Sequence, residues 1–340
     1  MPDKSCVDEE LKEELLKKFA PKRESSELLA ASYDRLGYEN KSERVGGCGT
    51  YLEFRRSSTD INDSWRLHNA NFCRDRLCPL CNYRRTQKIF GQVSQVMDEL
   101  GDSYAYIFLT LTVPNCDGEK LSSTIDDLQS GFRKFIKYKR VANAVHGVLK
   151  SLEITRNRKN GTYHPHYHCI LAVKESYFTG QDYIKHDDWL AMWQKAMKNP
   201  DITQVDVRRC KPKEDIKAGD NFSKSIGAAV AEVAKYAVKS VDYIVPDDPE
   251  LTDDIVFTLS AALHGRRLFS FAGVFDEVRK RLALDDCENG DLIHIGDDEL
   301  APGTGYFVRR YSWVGGSYKL VEETYEFNVE ISADDDFDSG

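Results

Sequence analysis

Three histidines stand at alternate positions in HPHYHCILAV (164–173), in a chain that holds eight histidines altogether. On a strand, residues two apart face the same way, about 7 Å apart along the chain, so His166 and His168 present two imidazoles together. Hairpin arithmetic supplies a third donor. If VLKSLEIT (148–155) pairs with the histidine strand through a two-residue type I′ turn at Asn160–Gly161, Glu153 lies opposite His168 on the same face. Two imidazoles and a carboxylate leave open positions on a divalent ion such as Mn²⁺ or Mg²⁺, which suits Lewis-acid work rather than structure. His164 shares the parity, but Pro165 disturbs the strand there. Either Glu153 or His164 could be the third ligand.

A second set of reactive groups lies in AEVAKYAVKSVDY (231–243). On a helix Glu232, Tyr236 and Lys239 would share one side. A tyrosine is a poor nucleophile, with about a thousandth of it phenolate at pH 7. Attack on phosphorus needs a metal polarising the phosphoryl group, a cation favouring the phenolate, or a base. Glu232 could be that base or could activate a water, while Lys235 and Lys239 could supply positive charge. Tyr243 is the rival nucleophile. Without context, such a helix is most often a plain amphipathic surface element.

Cys48, Cys73, Cys78 and Cys81 are spaced C-x24-C-x4-C-x2-C. The CPLC turn brings two thiolates to one ion, and two more upstream complete the donor set of a structural tetrahedral Zn²⁺. The basic and aromatic flanks, Arg84 and Arg85 among them, suggest contact with phosphates.

These residues need elements to hold them. YAYIFLTLTV (104–113), VLKSLEIT and YHCILAV (167–173) read as strands, as does QVDVRR (204–209). Residues 84–100, 121–138, 187–198 (with Asp187 as its cap) and 271–282 read as helices, and 223–244 as one long small-residue helix ended by Pro246. A β-hairpin is expected about Gly315–Gly316. The strands and helices interleave irregularly around hairpins, which favours an antiparallel α+β core.

The net charge is −9, but it is unevenly spread: −2 over residues 1–45, +7 over 46–245 and −14 over 246–340. A basic middle followed by an acidic end suits a polyanion held only in the middle. No apolar run approaches the roughly 18–20 residues that span a bilayer, and the charged start has no signal-peptide core, so a cytoplasmic location is expected. In a reducing compartment, nine cysteines are better read as partly metal-bound than as a disulfide framework.

FLTLTV (108–113), HPHYHCIL (164–171) and EVAKYAVK (232–239), in that order, resemble the three motifs of the HUH endonucleases. More closely, they resemble the rolling-circle replication initiators of the Gram-positive plasmid type 1 Rep family. CRDRLCPLC, LEIT and LHGRRLFSFAGVF (263–275) extend the likeness over roughly residues 45–282. The resemblance implies an α+β fold in which an antiparallel sheet carries the metal site and flanking helices carry the nucleophile. It implies that His166 and His168 bind the ion and that Tyr236 attacks a phosphodiester of the plasmid origin. The products would be a 5′-phosphotyrosyl link and a 3′-OH primer, with Glu232 activating water for the terminating cleavage. The partners would be double-strand origin DNA, single-stranded DNA, and a host helicase and polymerase, since no G-x-x-x-x-G-K-[ST] loop is present. The expected parts are a helical extension (1–44), a zinc module with a linking helix (45–100), a nicking and strand-transfer domain (101–284) and an acidic C-terminal β-rich extension (285–340). A single-tyrosine transposase or relaxase, or a non-catalytic zinc-dependent DNA-binding regulator, are the alternatives.

Overall fold

The structure is a computed structural model that describes residues 16–59, 64–210, 222–235, 238–295 and 305–327. Two helices, α1 (Ala20–Arg35) and α2 (Glu39–Gly46), lead into strands β1 (Tyr51–Ser57) and β2 (Arg66–Ala70). Then come α3 (Pro79–Leu100), β3 (Ala105–Thr112), α4 (Gly118–Phe135), α5 (Lys139–Ala144), β4 (Val145–Arg156) and β5 (Tyr163–Val173). The second half holds α6 (His186–Met197), β6 (Val205–Arg209), α7 (Phe222–Ser225), α8 (Gly227–Val233), α9 (Pro249–Leu263), β7 (Phe269–Gly273), α10 (Val274–Arg281), β8 (Gly305–Val314) and β9 (Ser317–Phe327). The α+β class with antiparallel sheets is as expected. Among the described residues, no helix is long and apolar enough to cross a membrane.

The larger sheet has the order β6-β3-β5-β4-β7, antiparallel throughout. Strands buried on both faces read as nearly continuous apolar runs, and β3 and β5 do. One face carries Leu109, Leu111, Leu152 and Leu171 and is covered by α4, α6 and α9, with Trp189 and Trp193 wholly buried. The other face carries Phe108, Leu149, Ile170 and Ala172 beneath α3, α8 and α10. The helix α3 offers that face Ile89, Val93, Val96, Met97 and Leu100, the stripe legible in the sequence. Where β4 meets β7, Gly273 has φ +61 and leaves no room for a side chain. A Cβ there would sit 2.1 Å from the His146 carbonyl oxygen.

The β4–β5 register differs from the expected one. Glu153 pairs with His166, and Ser151 with His168. The connection is a four-residue loop closed by Asn157 N–H to Thr162 O and Gly161 N–H to Asn157 O (both 2.8 Å), not a two-residue type I′ turn. The shift is two residues, an even number, so Glu153 keeps the side of the sheet it was expected on. At the start of α6, Lys185 is the cap and Asp187 lies in the first turn.

The long helix expected over 223–244 is broken. Ile226, Val230, Val233 and Ala234 belong to the core under α3, whereas Val238, Tyr243 and Ile244 belong to the core on the opposite face of the sheet. A straight helix cannot bury residues in both layers. The chain therefore leaves α8 after Val233 and runs extended at Lys239, so Lys239 does not share a helix side with Glu232.

The smaller sheet has the order β2-β1-β8-β9, so the acidic C-terminal hairpin completes the sheet of the cysteine module instead of standing apart. Charges pair across it: Arg310 on β8 meets Glu53 on β1 and Glu322 and Glu326 on β9 at 2.7–2.9 Å. Upstream of the hairpin, residues 285–293 lie along α3. Glu288, whose side chain is 1% exposed, accepts from the backbone N–H groups of Leu268 and Phe269 (2.8 Å each), tying this strap to β7.

The strap also corrects the expectation for Arg84 and Arg85. Both are buried. Arg84 donates to the carbonyls of Leu292 (2.9 Å) and Ile293 (2.6 Å), and Arg85 to those of Glu288 (3.1 Å), Asp75 (2.9 Å) and Arg74. Their charge is met by backbone oxygens that would otherwise be orphaned inside the protein. Replacing Arg85 by Met should cost about 3 kcal/mol of unfolding free energy, because it strands those carbonyls. Urea denaturation measures this, and an unchanged midpoint would contradict the assignment.

Candidate functional site: two clusters of metal-ligating groups

The sheet face turned towards α3 and α8 is apolar at one end and polar at the other. Along β5 the same parity gives Ala172, Ile170, His168, His166 and His164. His166 Nε2 lies 3.2 Å from His168 Nε2, and Glu153 Oε2 lies 3.0 Å from His168 Nε2 and 3.8 Å from His166 Nε2. All three residues are buried. Burial pushes the Glu153 carboxyl upward, but hydrogen bonds and charge from the two imidazoles outweigh it and hold the group well below the usual carboxylate range.

The outer ring nitrogens are fixed by partners. His166 Nδ1–H donates to the His164 carbonyl at 3.0 Å, which turns Nε2 towards His168. His168 Nδ1 lies 3.2 Å from Thr110 Oγ1 on β3, which turns its Nε2 towards Glu153. Two ring nitrogens and a carboxylate oxygen converge in this buried spot, close enough to share one cation. This is the oriented donor set of a cation site. His164 lies outside the converging set, its ring stacked on that of His166 with centroids 5.1 Å apart. The sequence offered a signal for Thr110, since Thr110 and Thr112 are the polar residues of FLTLTV and have the histidines' parity.

Helix α8 brings Glu232 to this centre, with Oε1 3.6 Å from His168 Nε2, and the other carboxylate oxygen pairs with Lys235 Nζ. Tyr236 lies outside the described residues. The chain on either side of it is anchored. Val233 and Ala234 are buried before it. Beyond it Arg158, on the β4–β5 loop, donates to the Val241 carbonyl at 2.6 Å. Tyr243 is fully buried, with its hydroxyl donating to the Leu77 carbonyl, so it is no candidate nucleophile. Lys239 is exposed and lines, with Lys235, a cavity of about 270 Å³.

The second cluster is Cys48, Cys73, Cys78 and Cys81, whose Sγ atoms all lie within 4.8 Å of one another. Cys48 is 3.5 Å from Cys78 and 3.6 Å from Cys81, and Cys73 is 3.7 Å from Cys81. Cys78 caps the start of α3 with Pro79 following, so the helix dipole favours negative sulfur at the knuckle. Backbone N–H groups point at the sulfurs: Arg74 at Cys81 (3.2 Å), Cys73 at Cys48 and Asp75 at Cys73 (3.4 Å each). Ser26 Oγ, on α1, is 3.4 Å from Cys78 Sγ. Burial opposes ionisation of Cys78, but the other three thiols and Ser26 outweigh it and hold its thiol well below the usual range. The set is suited to a soft tetrahedral cation.

Two outcomes follow. Cys78→Ser should lower the bound metal per chain and the melting temperature together, read by elemental analysis and calorimetry, while wild-type values of both would refute a structural metal. Thr110→Val should weaken divalent-cation affinity about tenfold in a Mn²⁺ titration, because it frees the His168 ring to turn, and an unchanged affinity would refute the orienting role.

The replication-protein family Rep_1 matches residues 64–319. The chain is 39% identical over 301 residues to the "Protein rep" of Bacillus amyloliquefaciens, covering 83% of this chain and 87% of that one. It is 36% identical over 304 residues to the "Protein rep" of Streptococcus pneumoniae serotype 2 (84% and 90%), and 36% over 220 residues to a "Replication protein" of Staphylococcus aureus (64% and 91%). No solved structure matches. The chain therefore belongs to the Rep_1 replication-protein family, the rolling-circle plasmid initiators that its motifs resemble.

Proposed function

We propose that the protein nicks one strand of a plasmid origin as an HUH endonuclease and strand transferase, with Tyr236 as the nucleophile. The observation that carries this is the convergence of His166, His168 and Glu153, with Glu232 beside them on the element that leads into Tyr236. The phenol oxygen attacks phosphorus, the P–O3′ bond breaks, and the leaving oxygen becomes the 3′-OH. The tyrosyl ester has nearly the energy of the bond it replaces, so no nucleotide hydrolysis is needed. His166, His168 and Glu153 would hold Mn²⁺ or Mg²⁺, which supplies Lewis acidity at the phosphoryl oxygens.

Glu232 would take a proton from water in the terminating step, and its pairing with Lys235 would restrain the carboxylate. Lys239, three residues beyond Tyr236 in the sequence, is exposed, and its part would be electrostatic. A water-dependent last step releases the enzyme, whereas a second tyrosine would leave it covalently bound. The cysteine set supports structural Zn²⁺. Zn–S bonds of about 2.3 Å place tetrahedral sulfurs about 3.8 Å apart, close to the separations found.

The decisive assay incubates the protein and Mn²⁺ with a labelled single strand from the origin and runs a denaturing gel. Wild type should give a covalent adduct and Tyr236→Phe none. Glu232→Ala should keep first cleavage and lose release of the closed product. Absence of adduct on every origin-derived strand would favour a non-catalytic DNA-binding regulator.

A further inference from the structure

Two adjoining cavities lie where the cysteine module meets α3 and α8. The larger, about 570 Å³, is lined by Phe54 from β1, by Trp65 just before β2, its ring beneath the guanidinium groups of Arg56 and Arg309, and by Tyr83 and Phe90 from α3. The smaller, about 270 Å³, shares Tyr83 and Thr86 with it and continues to Lys235 and Lys239. Lys18 and Arg66 line the first, and Lys22 lines the second with its ammonium 4.3 Å from the Tyr83 ring centroid. Among the described residues lining the two cavities there is no Asp or Glu, although the chain carries 56 acidic and 47 basic residues.

Two details point to a ligand. Phe90 stands off the buried stripe of α3 and leaves its ring 42% exposed at the cavity wall. Trp65 is only 7% exposed, yet its indole Nε1 finds no acceptor among the described residues. A buried indole N–H without a partner is costly, and a ligand acceptor would satisfy it.

We propose that the larger cavity takes an unstacked nucleobase of single-stranded DNA, while the phosphates of that strand follow the basic wall of the smaller cavity towards Lys235 and Lys239. Aromatic faces flanked by cations are what a single strand requires, because every base has a stacking surface and every link a charge. Trp65 Nε1 can donate to a carbonyl or ring nitrogen of the base. The direction of the strand rests on the proposed nicking reaction. The base pocket rests on the aromatic walls and the unsatisfied indole.

The test uses the full chain, with no divalent cation added so that no cleavage occurs. Fluorescence anisotropy compares a labelled oligodeoxythymidylate with a labelled backbone of equal length and charge that lacks bases. Wild type should bind the thymidylate roughly tenfold more tightly. Phe90→Ala, at an exposed position that leaves the core intact, should bring the two affinities close to parity without weakening the abasic one. Lys18→Gln should weaken both strands alike. Equal affinities in wild type, or a preference that survives Phe90→Ala, would overturn the pocket. A base preference without any Tyr236 adduct would sink the nicking reaction and leave the pocket standing, and an adduct without base preference would do the reverse.

Discussion

The whole arrangement depends on alternation along one strand. Because successive side chains of β5 point to opposite faces, the residues that bury Ile170 and Ala172 under α3 also commit His168 and His166 to that side. The opposite parity, Tyr167, Cys169 and Leu171, is held in the other core layer. No rotation of the strand could move the imidazoles without moving both cores. The polar centre is thereby positioned by the packing of apolar residues some distance from it, and it is as rigid as they are.

Parity also explains which expectations survived. The hairpin register was misjudged by two residues, yet Glu153 still reaches both imidazoles, because an even shift conserves the face. Spacing alone likewise placed the four cysteines, since a short knuckle leaves little freedom. What could not be read locally depended on distant chain. Nothing in RRTQKIF says that a strap two hundred residues later will lay its carbonyls against Arg84 and Arg85. Nothing in the small-residue run 223–244 says that its two halves belong to different layers. Composition shows that a segment is helix-forming, but not where the fold needs it to turn.

The segment around residue 236 joins the two metal-ligating clusters. It leaves the layer that holds the histidines at Val233, passes the β4–β5 loop at Arg158 and ends on Tyr243, which is bonded to the carbonyl just before Cys78. The distance between the histidine centre and this loop is therefore governed jointly by the large sheet and the cysteine knuckle. A cation held by the four cysteines would steady one end of the chain between Val233 and Tyr243.

The pairing of β1 with β8 brings together residues separated by some two hundred and fifty positions, and the strap at 285–293 does the same for α3. During synthesis the cysteine module is thus left with an open sheet edge until β8 has emerged. A chain that stopped short of β8 would expose that edge, and one that stopped short of residue 285 would also expose the flank of α3, each an invitation to aggregate.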